Sequence, residues 1–240
     1  MTDRVSLPEA LDDIAAIGPF FVASANPAEE VDPSWRPARE LYTEPAALDA
    51  RLRQVANALN TDEPRIAASI AHQGLVARLV SPLIAVASVH GLVPSWSPDS
   101  LCWRFAAVGA WPLWESDPSA ARPSATALPA AVAGALAGPH LVALEHAVRA
   151  RASVSARTLR GNAASAVVAA GRLVARSRPG SAETAYAVVR ELLAGEPLLG
   201  AGTFGVGWGF RRRSCCLYYR VPGGGTCGDC VLTGRSTGGR

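Results

Sequence analysis

The chain has 240 residues, of which 49% are hydrophobic and 18% charged, enough to bury a sizeable core without disulfide staples. Its net charge of +3 is too mild for a general nucleic-acid binder. All 23 basic residues are arginines, a whole-chain bias that weakens any claim for a single one. The start, "MTDRVSLPEALDD", lacks the basic region and apolar run of a secretory leader. The most apolar stretch, "ALPAAVAGALAGPHLVALEH", is interrupted by Pro129, Pro139 and His140. These features predict a cytoplasmic protein whose apolar composition allows peripheral membrane contact. A reducing compartment disfavours structural disulfides.

Ser6-Leu7-Pro8-Glu9 has the form of a capping box, with Leu7, Leu11 and Ile14 following at helical spacing up to Gly18-Pro19. Residues 19–43 read as a connecting loop. Thr43 is placed to cap a second helix, with Leu48, Leu52, Val55 and Leu59 on one face. A third helix starts at Thr61-Asp62-Glu63-Pro64 and should end or kink at Pro82, with a further helical segment to His90. Residues 91–114 hold four of the six tryptophans, and Leu101 to Phe105 alternates as a strand does. That tryptophan group reads as core, and Cys102 within it as a buried hydrophobe.

Glu115 to Pro129 is a Pro/Ser/Ala linker. The expected division is 1–126, mostly helical with the Trp-rich strand-like segment, then 127–231, helical and ending in an irregular segment at 196–231, then a disordered tail at 232–240. The second half predicts helices over about 141–152, 155–176 and from Ser181 to Gly195. The four histidines, His72, His90, His140 and His146, are scattered and read as structural or surface residues. The fold class is mainly α, with a small β element and an irregular C-terminal segment.

Four of the five cysteines fall in "RRRSCCLYYRVPGGGTCGDC", spaced C-C-x10-C-x2-C at Cys215, Cys216, Cys227 and Cys230. Three chemistries compete. A zinc site suits the Cys227/Cys230 pair, whereas adjacent cysteines suit a single tetrahedral ion less well. A redox disulfide would want a βαβ unit beside C-x-x-C, and none is visible. A [2Fe–2S] cluster places two thiolates on each iron and tolerates the adjacent pair better. Gly223, Gly224, Gly225 and Gly228 would let backbone N–H groups turn toward sulfur. Arg211, Arg212, Arg213 and Arg220 would compensate an anionic cluster.

The stretch "RRSCCLYYRVPGGGTCGDC" closely resembles the C-terminal signature of the FhuF-like ferric siderophore reductases. "SARTLRGNAASAVV", Ser155 to Val168, is similar to the pattern ahead of that signature, and "ASIAHQGLVARLVSP" is a looser echo. The resemblance implies a [2Fe–2S] cluster on Cys215, Cys216, Cys227 and Cys230. It implies one-electron reduction of siderophore-bound Fe(III) to Fe(II), with no separate acid, base or nucleophile. A hydroxamate siderophore is the expected substrate. A ferredoxin or flavin reductase is the expected donor, because no G-x-G-x-x-G follows a strand. Arg211, Arg212, Arg213 and Tyr218 are the candidate docking residues. The rival reading is a non-catalytic, zinc-stabilised binding protein in which the thiols only close the C-terminal fold.

Overall fold

The computed structural model describes residues 5–233. Helix α1 (Leu7–Ala15) opens with the capping box legible in the sequence. The Ser6 N–H donates to the Glu9 carboxylate at 2.8 Å, and the Glu9 N–H donates back to the Ser6 hydroxyl at 3.5 Å. Leu7, Ala10, Leu11 and Ile14 form its buried face.

The expected loop at 19–43 is more structured than its composition suggests. A 3-10 turn covers Pro27–Val31, strand β1 covers Arg36–Pro37, and helix α2 covers Arg39–Thr43. Thr43 does not cap the next helix. It lies in the last turn of α2 and donates back to the Arg39 carbonyl at 3.2 Å. Helix α3 (Pro45–Ala58) instead starts on Pro45, whose fixed φ suits a first helical position.

Helix α4 (Pro64–His90) is a single helix of 27 residues that runs through Pro82, against the expected break. Leu83, Ile84, Ala85, Val86 and Ala87 beyond it are completely buried. Packing on all sides offsets the one backbone hydrogen bond that proline removes. The helix stops at Gly91, whose φ of 65° is the left-handed conformation a C-cap needs.

Short strands follow: β2 (Val93–Pro94), β3 (Leu101–Trp103), β4 (Leu113–Glu115) and β5 (Ala120–Ala121). One antiparallel sheet has the order β1-β3-β4, and β2 pairs with β5. Trp96, Trp103, Trp111, Trp114 and Cys102 are buried here, as expected of core residues. Glu115 begins the expected linker but is fully buried, its carboxylate accepting from the N–H groups of Trp96 and Asp117 at 3.0 Å each. The linker therefore begins inside the core, and part of it is strand β5.

Helices α5 (Leu128–Leu136) and α6 (Ala143–Arg151) join through a π-helical turn at Ala137–Val142. That turn absorbs Pro139 and His140, which the sequence reading treated as interruptions. His140 is buried, with Nε2 at 2.6 Å from the Trp96 carbonyl and Nδ1 at 2.6 Å from the Tyr42 hydroxyl. By length and composition, α4 and the stretch Leu128–Arg151 could each cross a membrane; 78% of the apolar window in α4 is buried within the protein, against 39% in the second.

Helix α7 (Ala156–Ser177) is capped by the Ser155 hydroxyl, which accepts from the Thr158 N–H at 3.1 Å. Helix α8 (Ala182–Ala194) follows, and Ser181 makes no side-chain cap there. Helix α4 is the central element, packed lengthwise on α7 and also on α1, α3, α5 and α8. An antiparallel hairpin, β6 (Gly202–Phe204) and β7 (Phe210–Arg212), carries the chain from this helical body into the cysteine segment. Leu232 and Thr233 belong to a turn, and the rest of the expected tail lies outside the described residues. The architecture is mainly α with small strands and an irregular C-terminal segment.

Candidate metal centre

Strand β7 alternates its side chains, so Phe210 and Arg212 point inward and Arg211 outward. After Ser214 the chain lays Cys215 and Cys216 against the α4–α7 seam. The Ser69 hydroxyl on α4 donates to the Cys216 carbonyl at 2.8 Å, fixing the second cysteine to the central helix. Leu217 takes a left-handed φ of 70°, and its N–H donates to the Cys215 sulfur at 3.3 Å. A one-turn 3-10 helix at Tyr218–Arg220 follows, and the Arg220 guanidinium pairs with Glu63 at 2.8 Å, just ahead of α4.

The glycine run then reverses the chain. Gly223 has φ 70°. Gly224 is more constrained: a Cβ there would sit 2.4 Å from the Tyr218 carbonyl oxygen and 2.8 Å from that of Val221. This tight turn brings Cys227 and Cys230 back to the first pair. The Cys216 and Cys227 sulfurs lie 3.8 Å apart, and the Leu232 N–H donates to the Cys230 sulfur at 3.3 Å. All four cysteines are free thiols; Cys216 and Cys230 are buried, Cys215 and Cys227 half-buried.

The arginines expected to act together are split. Arg211 is exposed and donates to the Val231 and Thr233 carbonyls. Arg213 is exposed, and Arg220 is committed to Glu63. Arg212, expected on the docking surface, is 2% exposed and faces inward. Its Nη1 donates to the Asn162 side-chain oxygen on α7, while Nε and Nη2 are buried without a partner among the described residues. Asp229, between Cys227 and Cys230, turns in to Ser165 and lies 3.7 Å from Arg172.

Burial pushes the Cys227 thiol up to about 11, and the nearby Arg212 charge opposes that rise. Burial also raises Cys215, opposed by the Leu217 N–H and, more weakly, by Arg212. Cys215 and Cys227 are thus held toward the thiol form, while the buried Arg212 keeps two N–H groups without a partner among the described residues. An anionic sulfur cluster held by the thiols would suit both conditions, taking thiolates as ligands and giving those N–H groups acceptors. The separation of Cys216 from Cys227 equals that of two thiolates sharing one tetrahedral metal at ~2.3 Å. Among the described residues no group of three or more His, Cys, Asp or Glu side chains is close enough to share one metal ion.

Two of the four cysteines, Cys216 and Cys227, line a cavity of about 500 Å³ between α4 and α7, walled also by Ile70, Gly74, Ala166 and Ala170. Tyr218 stands at its rim, 38% exposed. Sequence reasoning missed Ser69, Asn162, Ser165 and Glu63. The signal for two of them was present: Asn162 and Ser165 interrupt an otherwise apolar face of α7 that includes Leu159, Ala163, Ala166 and Ala170.

No curated protein matches the chain. Residues 212–232 match the family model of the FhuF 2Fe-2S C-terminal domain, a span that runs from the buried arginine past the last of the four thiols. Its cofactor is a [2Fe–2S] cluster, which the thiol spacing and the unpartnered guanidinium suit. On this match residues 212–232 form a FhuF-like 2Fe-2S segment at the end of the helical body.

Proposed function

We propose that the protein is a ferric siderophore reductase acting in the cytoplasm, with Cys215, Cys216, Cys227 and Cys230 as the four cluster ligands. The observation that carries this reading is the quartet itself: two buried and two half-buried thiols at the end of an α4–α7 seam, within the family-matched segment. The bound cluster supplies a single electron. The chain's own residues arrange how that electron leaves.

Cys216 and Cys230 anchor the buried side, while Cys215 and Cys227 bring the sulfur edge close to solvent. A chelate too large to enter the protein can then be reduced by outer-sphere contact. Arg211 and Arg213, shortly ahead of Cys215 in the chain, are exposed and cationic. They suit an anionic ferric chelate or the acidic face of a donor such as a ferredoxin or flavin reductase. Tyr218 offers an apolar surface beside them.

The substrate chemistry explains why nothing more elaborate is needed. Hydroxamate oxygens are hard, anionic ligands that hold Fe(III) tightly and the less charged Fe(II) poorly. One electron taken up by Fe(III) gives Fe(II), the chelate loosens, and its oxygens recover protons from water. No bond to carbon is made or broken, so no acid, base or nucleophile is required.

The test is anaerobic purification followed by iron and acid-labile sulfide analysis and an assay of Fe(II) released from a ferric hydroxamate to an Fe(II)-specific chelator. The expected result is visible absorption bleached by dithionite, and Fe(II) release that Cys227→Ser abolishes along with the colour. A colourless protein holding one zinc and no sulfide would overturn the cluster assignment. Unchanged Fe(II) release by Cys227→Ser would overturn the reductase assignment.

A further inference from the structure

Arg212 has five N–H donors and is 2% exposed. Among the described residues only Nη1 has a partner, the Asn162 Oδ1; Nε and Nη2 are buried and unspent. The acids around it do not answer the charge. The Asp229 carbonyl accepts from the Arg212 backbone N–H, at 3.1 Å, not from its guanidinium, and the Asp229 carboxylate is taken by Ser165 and Arg172. A buried cation without a counter-ion is strongly unfavourable, and this one lies near Cys215 and Cys227.

Its orientation is fixed from behind. The Asn162 amide nitrogen donates to the Ser69 carbonyl at 2.8 Å and to the Ser69 hydroxyl at 2.9 Å. That hydroxyl in turn donates to the Cys216 carbonyl. Turning the amide over would forfeit both Ser69 contacts and present N–H groups to the guanidinium. Arg212, Asn162, Ser69 and Cys216 therefore form one chain of hydrogen bonds from strand β7 through α7 and α4 to the thiol loop.

We propose that Arg212 is a positioning residue for the cluster: its unspent Nε and Nη2 hydrogens would be available to the cluster's sulfurs, and its fixed charge would set how readily the cluster accepts an electron. Reduction adds negative charge beside a buried cation, so the arginine raises the reduction potential. This assignment depends on the cluster and is independent of which ferric chelate is reduced.

Two measurements on Arg212→Met and Arg212→Lys test it. The first is a redox titration of the loaded protein followed by visible absorption. Arg212→Met should lower the reduced-to-oxidised ratio at a fixed potential by tenfold or more, which is about 59 mV for a one-electron couple. Arg212→Lys should recover part of that loss, because it restores charge without the planar fork. An unchanged potential in Arg212→Met at full iron and sulfide content would overturn the proposal. So would a lysine variant indistinguishable from the methionine one.

The second is denaturant unfolding with and without cluster. Arg212→Met should make the cluster-free protein more resistant than wild type, because it removes an uncompensated buried charge, and the loaded protein less resistant. Equal destabilisation of both forms would mark the arginine as a structural strut. If Arg212→Met takes up no cluster, the cluster-free comparison alone decides. A gain in resistance supports the proposal and a loss overturns it.

Discussion

The Ser69 hydroxyl donates to the Cys216 carbonyl at 2.8 Å across 147 positions of sequence, and the same oxygen receives the Asn162 amide at 2.9 Å. Replacing Ser69 with alanine leaves that carbonyl buried without its donor. We expect Ser69→Ala to cost about 1–3 kcal/mol, the usual penalty for an orphaned buried polar group. Denaturant unfolding of the cluster-free protein measures the cost, and faster bleaching by a strong iron chelator should accompany it.

Gly224 is the tightest point of the reversal between the two cysteine pairs. A methyl group there meets two backbone carbonyls, at 2.4 and 2.8 Å, neither of which is the end of a flexible side chain. Gly224→Ala should therefore reduce iron and sulfide content severely. Gly225→Ala is the control, since nothing lies within 4 Å of a Cβ at that position. Equal loading of the two variants would show that the turn tolerates the methyl.

Gly161 on α7 lets the cysteine segment approach closely: a Cβ there would lie 2.2 Å from the Ser214 hydroxyl, which donates to the Arg157 carbonyl at 2.8 Å. Gly161→Ala should destabilise by about 1–3 kcal/mol through overpacking. Because the clash is with a side-chain oxygen, Ser214→Ala in the same chain should recover part of that loss. A double-mutant cycle showing no coupling between the two sites would contradict the close contact.

His72 and His140 are buried as neutral rings, and burial lowers them to about 3 and about 4 respectively. In the unfolded chain both titrate near 6.5. Their folded values are the lower ones, so between about 6.5 and 4 the unfolded state binds more protons. Stability should therefore fall as pH drops through that window, by up to ~1.4 kcal/mol per pH unit per histidine, and be flat above it. Burial raises Glu115, which works in the opposite sense within its own titration range. Denaturation midpoints of the cluster-free protein at pH 7 and pH 5 check the slope, and His140→Gln should reduce it.

The thiol spacing and the capping box were fully legible because each is a local pattern with a local cause. The inward turn of Arg212 was not. Strand alternation places it, but three consecutive arginines give no contrast between the two faces of β7. Pro82 misled for the opposite reason: the local rule against proline inside a helix is overridden by packing that only the assembled molecule displays. Pro139 and His140 misled in the same way, since a π turn spends the extra residue. Asn162 and Ser69 lie 93 positions apart, and nothing short-range connects them.

The thiols come from the last stretch of the chain, while the groups that hold their loop in place, Glu63 and Ser69, are translated some 150 positions earlier. Biogenesis must follow that order. The thiol loop can be seated only once both regions have been made and have met, so its shape depends on contacts that span about 150 positions.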